Sequence, residues 1–450
     1  MSKLVISSRQ LTYLIASTLI TASIINDPQQ LARSTGHDAV FSYALALLYG
    51  LGIGYVFYAL ARRYPGKNLF EISFLLAGKW GGGFINLLLM LNIWFVFVRD
   101  SYTTTTFLRT TLLQRTPPEI LLLLFISVII YYGQTSIEVT ARVNEIVFPF
   151  IFIVLIGLPL LLLNEISLTQ WEPLFTQPGS QLVLGNLLNA ARFGDLIVIG
   201  AFLHTIANSR HLLTAIRYGA ILSGMILTIV VATSMAVFGA DIVARLNFPF
   251  YSLVSQIHIT DFLDRLDVFM FSLYFPSAVI NVVFSFMAFL VGLSAFTGKK
   301  DHTPYSRSMG WFFLLVIPIS FRNIVELTQF TFFAYPFFVL LTQPVLLVCL
   351  FVLGVMRKRR APIQDHEDNT SQQAESSHHQ SGGRYGKNSL RIWMRLTHFF
   401  MLAALLLIIA GVWLGKAYSW AGAVCSLGYG LCLIAIFITS TYERRQAGAG

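Results

Sequence analysis

Charge is what this sequence has least of. Only 12% of its 450 residues are Asp, Glu, Lys or Arg, about half the share usual in soluble domains, while 56% are hydrophobic. That balance excludes a water-soluble enzyme or nucleic-acid binder. Cysteine is nearly as rare: Cys349, Cys425 and Cys432 all sit inside apolar runs, with no CxxC and no His/Cys cluster. Neither a disulfide framework nor a zinc site is indicated. There is no GxxxxGK[ST] loop, no GxGxxG after a strand, no GxSxG and no HExxH. Paired carboxylates and histidines are too few within the apolar runs for hydrolytic or metal catalysis. The chain is therefore not expected to be an enzyme or to carry a cofactor.

What fills the chain is an alternation of apolar and loop segments over nearly its whole length, which predicts an all-α polytopic membrane protein. Ten apolar segments are expected to span the bilayer, over residues 8–25, 39–60, 84–112, 119–132, 143–163, 189–208, 218–238, 268–293, 309–321 and 330–356. Residues 69–77 and 248–267 mix apolar and polar side chains and suit amphipathic pieces at the membrane surface. The N-terminal stretch lacks a small-residue cleavage site and reads as a retained first helix rather than a signal peptide. Residues 361–392 are polar and poor in aromatics, so a disordered cytoplasmic linker is expected there, with His378-His379 solvated rather than metal-binding. Two more apolar segments, 393–414 and 418–440, close the chain. The predicted layout is a ten-span core over 1–360, the linker 361–392 and a two-helix hairpin within 393–450, twelve spans in all.

The net charge is +10, which in a soluble chain would suggest a nucleic-acid partner. Here the basic residues cluster at span ends: Lys3 and Arg9, then Arg62, Arg63, Lys67 and Lys79, then Arg142, then Arg210 and Arg217, then Lys299, Lys300 and Arg307, then the run 357–360. They fall on alternate loops. The positive-inside rule explains them without a polyanion and places both termini in the cytoplasm.

Two spans carry signs of interruption. Residues 189–208 read NAARFGDLIVIGAFLHTIAN, and the apolar run inside them, 196–203, is far shorter than a crossing of about 20 residues requires. If this segment spans, then Gly194, Asp195, Gly200 and His204 lie at membrane depth. A carboxylate there costs roughly 2.5–3.5 kcal/mol on insertion scales and must face protein, ligand or water. The flanking glycines permit a helix break that lines a cavity. The other reading is a continuous helix with Asp195 near the outer headgroups. In the first span the apolar run meets Asn26, Asp27 and Pro28. Proline stops or kinks a helix, and freed backbone groups beside an Asn-Asp pair suit a small zwitterionic ligand; an ordinary helix end is the alternative. In the third span Arg99 and Asp100 are neighbours about 100° apart around a helix. Each is expected to find its partner on another helix, in an interior ion pair or at a ligand or proton, and Thr103 to Thr106 add a hydroxyl-rich wall. The eighth span contributes Tyr274, Pro276, Ser277, Asn281 and Ser285. Breaks in the first and sixth of ten spans suggest two five-helix repeats of inverted topology with a site between them. The expected ligand-binding residues are Asn26, Asp27, Gly194, Asp195, Gly200 and Tyr274; Arg99, Asp100, Pro28 and Pro276 are expected to be structural or coupling residues.

Several short pieces, in order, resemble the spore germination permeases. They are SSRQL (7–11), GHDAV (36–40), RRYPGKNLFEI (62–72), AGKWGG (77–82), Thr116-Pro117, IEVTAR (137–142), FGD (193–195), FLDRLD (262–267), and Pro344 with RKRR (357–360). The resemblance covers about residues 7–360 and leaves the linker and hairpin outside. That family comprises the B subunits of endospore nutrient germinant receptors and is a branch of the amino acid–polyamine–organocation (APC) transporters. The resemblance implies a LeuT-like 5+5 inverted-repeat core and residence in the spore inner (cytoplasmic) membrane. It also implies A-type and C-type partner subunits and a small nutrient ligand, most often an amino acid, whose binding triggers germination. The sequence departs from the family at Thr21-Ala22-Ser23, where a glycine is usual, at Asp195, where glutamate is usual, and at Tyr274, where a tryptophan often sits. These departures bear on which ligand is bound rather than on the architecture. A proton- or sodium-coupled secondary transporter of amino acids with the same fold is the leading alternative, and a membrane scaffold with a vestigial site is the third.

Overall fold

The computed structural model describes residues 6–170, 174–175, 178–206, 209–257, 266–299, 301–357, 383–414 and 419–448, which form helices and connecting turns with no strand among them. Helix α1 (Ser8–Ser23) opens with a capping box in which Ser7 and Gln10 satisfy each other's backbone amides. From Leu11 onward it is almost wholly buried, packed against α6 (Ile137–Leu161), α8 (Ser209–Phe238) and α11 (Leu266–Thr297). It stops at Ser23; after the turn 24–26 the chain resumes as α2 (Asp27–Thr35), with Pro28 in the first turn, where a missing amide costs nothing. A short 3-10 turn (Gly36–Phe41) then leads into α3 (Ala44–Arg63).

Helix α4 (Leu69–Thr111) joins two expected pieces into one rod. Asn68 and Glu71 cap its start, and Gly78 at φ +75° makes an elbow between the amphipathic piece 69–77 and the span proper. That backbone conformation lies where a Cβ is strained, so glycine is what lets the chain turn there. Next come α5 (Pro118–Gly133), α6 and α7 (Gly179–Phe193), the last continuing directly into a 3-10 segment (Gly194–Thr205). Beyond α8 lie the short α9 (Ala240–Val243) and α10 (Pro249–Ser255), then α11, α12 (Thr303–Ser320), α13 (Ile324–Gln329), a π-turn (Phe330–Ala334) and α14 (Tyr335–Met356). The hairpin is α15 (Gly383–Leu414) and α16 (Ser419–Gly448).

Among the described residues, nine helices are long and apolar enough to cross a membrane. Three of the twelve expected spans fall on α1, α5 and α12, which have 16, 16 and 18 residues, short of the about 20 a crossing needs. By length and composition alone, nine of the twelve expected spans qualify among the described residues. The tail of the expected linker, 383–392, is helical and belongs to α15, because the polar stretch is continuous with the apolar helix it leads into. Residues 358–382, with His378-His379 and most of the RKRR run, lie outside the described residues, as do Lys300 and residues 258–265, where most of the FLDRLD motif falls.

Burial is uneven in a way that marks the centre. The apolar windows of α8 and α11 are 78% and 83% buried, those of α6 and α15 28% each. The former pair is the interior of the bundle and the latter faces outward, with Ile146, Ile153 and Leu160 of α6 exposed.

Candidate functional site

The two interrupted spans meet in the interior. Arg192, in the last turn of α7, reaches Asp27, the first residue of α2: Nη2 lies 3.0 Å and Nε 3.1 Å from Asp27 Oδ1. Arg99, on α4, joins a second carboxylate group. Its Nε is 2.7 Å from Asp100 Oδ1 and its Nη2 is 2.7 Å from Asp195 Oδ2. The other Asp195 oxygen accepts from the Tyr335 hydroxyl, and the Arg99 guanidinium sits 4.6 Å above the Tyr335 ring, a cation–π contact. Asn281 on α11 donates to Asp100 Oδ2 at 3.0 Å. Arg99 and Asp195 are completely buried.

Arg99 and Asp100 do pair with each other, against the expectation from their 100° separation. Arginine has the length to fold back, and its fork bonds two carboxylates at once. Each also bonds a neighbouring helix, as expected: Arg99 through Asp195, Asp100 through Asn281.

The sixth span changes its hydrogen bonding at Gly194, from α to a 3-10 segment of 12 residues, several times the usual length of such a run. The reason for glycine here is packing. A Cβ at Gly194 would sit 2.7 Å from Gln343 Oε1 and from Val339 Cγ1 of α14, so only a bare backbone lets α14 lie against the break. Gln343 then bonds that backbone, Nε2 donating to the Gly194 carbonyl at 3.1 Å and to Asn92 Oδ1 at 3.2 Å, while Tyr49 donates to its Oε1.

The other sequence-predicted residues divide. Tyr274 donates to the Thr21 carbonyl at 3.1 Å, near the end of α1. Asn26 precedes α2 and makes no side-chain cap bond. Gly200 lies further along the 3-10 segment, where a Cβ would meet Leu69 and Phe57; it is a close-packing position away from the charges. Pro276 lies within α11, five residues before Asn281. Arg192, Tyr335 and Gln343 were not anticipated. Arg192 carried a signal, being a charge three residues from Asp195 at membrane depth, and Gln343 is a lone amide in an apolar helix.

Counted with every group ionised, two arginines against three aspartates leave this buried cluster one negative charge in excess. Several of its polar atoms also have no partner in hydrogen-bond geometry: Asp27 Oδ2, Arg99 Nη1, Arg192 Nη1 and Asn281 Oδ1, although the Ser23 hydroxyl lies beside Asp27. Buried groups of this kind normally find partners, so a set of them in one place marks a position where something else completes the bonding. No group of three or more His, Cys, Asp or Glu able to hold a metal occurs among the described residues.

Residues 5–324 match the family model described as spore germination protein. The chain belongs to that family. It is 25% identical over 366 residues to spore germination protein KB of Bacillus subtilis (strain 168), covering 80% of this chain and 97% of that protein. Among solved structures it is similar to Mhp1, a nucleobase-cation-symport-1 family transporter in a closed conformation with bromovinylhydantoin bound. The TM-score is 0.63 at 14% identity, over 99% of this chain and 93% of that one. A Na+-coupled sialic acid symporter in a substrate-bound outward-open state matches with a TM-score of 0.55 at 12% identity, over 98% and 91%. At such identities the likeness is one of fold alone, and the fold is that of APC-type transporters, LeuT-like with interrupted first and sixth spans. The Mhp1 alignment extends through the C-terminal hairpin, which the family match does not reach. This is an integral membrane protein of the spore germination family.

Proposed function

We propose that the chain is the membrane subunit of a spore nutrient germinant receptor, binding a small zwitterionic nutrient, an amino acid first of all, between the two interrupted spans. The observation that carries this reading is the buried cluster of Asp27, Arg192, Arg99, Asp100 and Asp195, one positive charge short and with both a free carboxylate oxygen and free guanidinium nitrogens. An α-ammonium supplies the missing charge at Asp27 Oδ2. An α-carboxylate suits the free guanidinium nitrogens and the start of α2, whose amide end favours anions. Asp195, with both oxygens engaged by Arg99 and Tyr335, serves by holding Arg99 in place, and Asn26 and Tyr274 border the ligand at the first break. Occupancy favours one arrangement of the two five-helix repeats, by no more than the ligand's differential affinity for the two. The protein works in the spore inner membrane with both termini cytoplasmic, in twelve crossings, together with A-type and C-type receptor subunits.

A proton- or sodium-coupled amino acid transporter is the second reading, favoured by the fold shared with two cation-linked transporters. Against it, the buried carboxylate of the sixth span already has a tethered cation in Arg99. The deciding experiment measures binding and uptake of labelled amino acids by the purified protein in sealed proteoliposomes, alone and with the partner subunits. Saturable binding without accumulation under an imposed proton or sodium gradient is expected. Accumulation against a gradient would make it a transporter. Absence of binding even with partners present would leave only a scaffold.

A further inference from the structure

The last helix is fastened to the core near one end. Arg217 of α8 pairs with Glu443 of α16, both buried, and the Tyr218 and Thr441 hydroxyls are 3.2 Å apart. Further along the same two helices, toward Phe238 and Ser419, lies a cavity of about 270 Å³ between α8, α16 and the 3-10 turn that follows α2. At about 30 Å³ each, that is room for about nine water-sized groups. Its wall is overwhelmingly apolar, built from Met225, Ile229 and Met235 of α8, Leu433 and Ile434 of α16, and Phe41. Both helices belong to segments long and apolar enough to cross a membrane, and Ile434 on the rim is 54% exposed. The cavity therefore opens sideways at membrane depth, where ions and sugars do not reach and molecules dissolved in the lipid do.

Among the lining side chains His37, Thr228, Ser426 and Tyr429 are polar, and the last is out of keeping. Tyr429 is only 2% exposed, its ring held edge-on against Phe41, and its hydroxyl has no partner in hydrogen-bond geometry. Its hydrogen-bonding neighbour is the Thr228 hydroxyl, which gives its own proton to the Gly224 carbonyl at 2.7 Å and meets the Tyr429 hydroxyl without full hydrogen-bond geometry. A hydroxyl buried in an apolar wall without a well-formed bond is costly, and an occupant with one hydrogen-bonding group removes that cost.

We infer that this cavity is a second ligand site, separate from the charged cluster, for an uncharged amphiphile that enters from the bilayer. The ligand is alcohol-like, with a compact apolar body and a single polar group meeting Tyr429. It bridges the hairpin to the core and touches Phe41, whose carbonyl accepts from Asn186 of α7 at 3.3 Å. Occupancy thus bears on the segment that follows the first break and on the helix that leads into the second.

The test uses the full-length protein in proteoliposomes, photolabelled with a diazirine-bearing octanol and mapped by peptide mass spectrometry. Expected are saturable adducts within residues 225–235 and 426–434, reduced several-fold by excess octan-1-ol. Ala232→Trp, which fills the cavity, should abolish them. Tyr429→Phe keeps the ring and removes the hydroxyl, and should weaken competition by octan-1-ol several-fold. If Ala232→Trp fails to fold, Tyr429→Phe decides alone. Adducts spread evenly over outward-facing helices such as α6 and indifferent to competitor would overturn the site, as would labelling of Tyr429→Phe indistinguishable from the natural chain.

Discussion

The two interrupted spans handle buried aspartate in opposite ways. At the first break the helix stops, three turn residues intervene, and α2 restarts on Asp27-Pro28. At the second there is no gap: α7 passes at Gly194 into a 3-10 segment. Asp27 gives one oxygen to Arg192 and leaves the other without a hydrogen-bond partner. Asp195 gives one oxygen to Arg99 and the other to Tyr335. α14 leans on the second break through Gln343 and Val339. The first break thus keeps chemistry in reserve and the second is locked. Under the proposed function, the first break would receive the ligand and the second would hold the site's shape.

The largest expected effect comes from unlocking the second break. Arg99→Ala strands Asp100 and Asp195, and removing one partner of a buried ion pair costs about 3–5 kcal/mol. SDS-driven unfolding of the purified protein should show it, with little recovery in Arg99→Lys, because a lysine cannot bond two carboxylates through a planar fork. If Arg99→Ala unfolds like the natural protein, the second break is not held by this network. Next is Asp27→Asn, which leaves the buried Arg192 without its carboxylate and so should lower resistance to SDS, though less than Asp195→Asn, while weakening amino acid binding at least tenfold, about 1.4 kcal/mol. Asp195→Asn should abolish the germinant response in spores while membrane insertion persists. It should lower resistance to SDS more than Asp27→Asn does, because both Asp195 oxygens are bonded, and equal behaviour of the two variants would erase the distinction between the breaks.

Smaller changes sharpen the contrast. Tyr335→Phe removes a bond to a charged oxygen, worth about 1.5–3 kcal/mol, and should destabilise without altering ligand preference in a competition assay. Gly194→Ala places a Cβ 2.7 Å from two α14 atoms; overpacking of this kind costs about 1–3 kcal/mol, visible as a lower apparent melting temperature. The smallest effect belongs to Tyr274→Phe, which frees the Thr21 carbonyl at about 0.5–1.5 kcal/mol. Its signature should be a shift in ligand affinity larger than the loss of stability, since Thr21 lies beside the reserve break.

Much of this was legible beforehand, for identifiable reasons. Pro28 marks the first break because proline cannot continue a helix from the preceding turn, and Asp195 marks the second because a carboxylate is rare at membrane depth. The pairing was not legible. Asp27 and Arg192 are 165 residues apart, as Arg99 and Asp195 are 96 apart, and nothing in local pattern says which charge meets which. Tyr335 escaped notice because an aromatic in an apolar helix looks like packing until its hydroxyl is seen to end on a carboxylate. Gly200 drew attention as a flank of the break, yet its bareness serves contact with Leu69 and Phe57; a glycine's reason lies in its neighbours, which sequence does not display.

What the sequence determined alone was the solvent and the punctuation. Scarce charge and long apolar runs dictate a lipid environment, since backbone groups there must be satisfied within helices, and proline and glycine set where those helices are interrupted. What only the tertiary structure decided was the balance of charge inside: which aspartate is saturated, which keeps a free oxygen, and where the hairpin leaves a cavity against α8. Those properties depend on distances between side chains far apart in the chain, and at membrane depth, with no water to screen them, the distances set the chemistry.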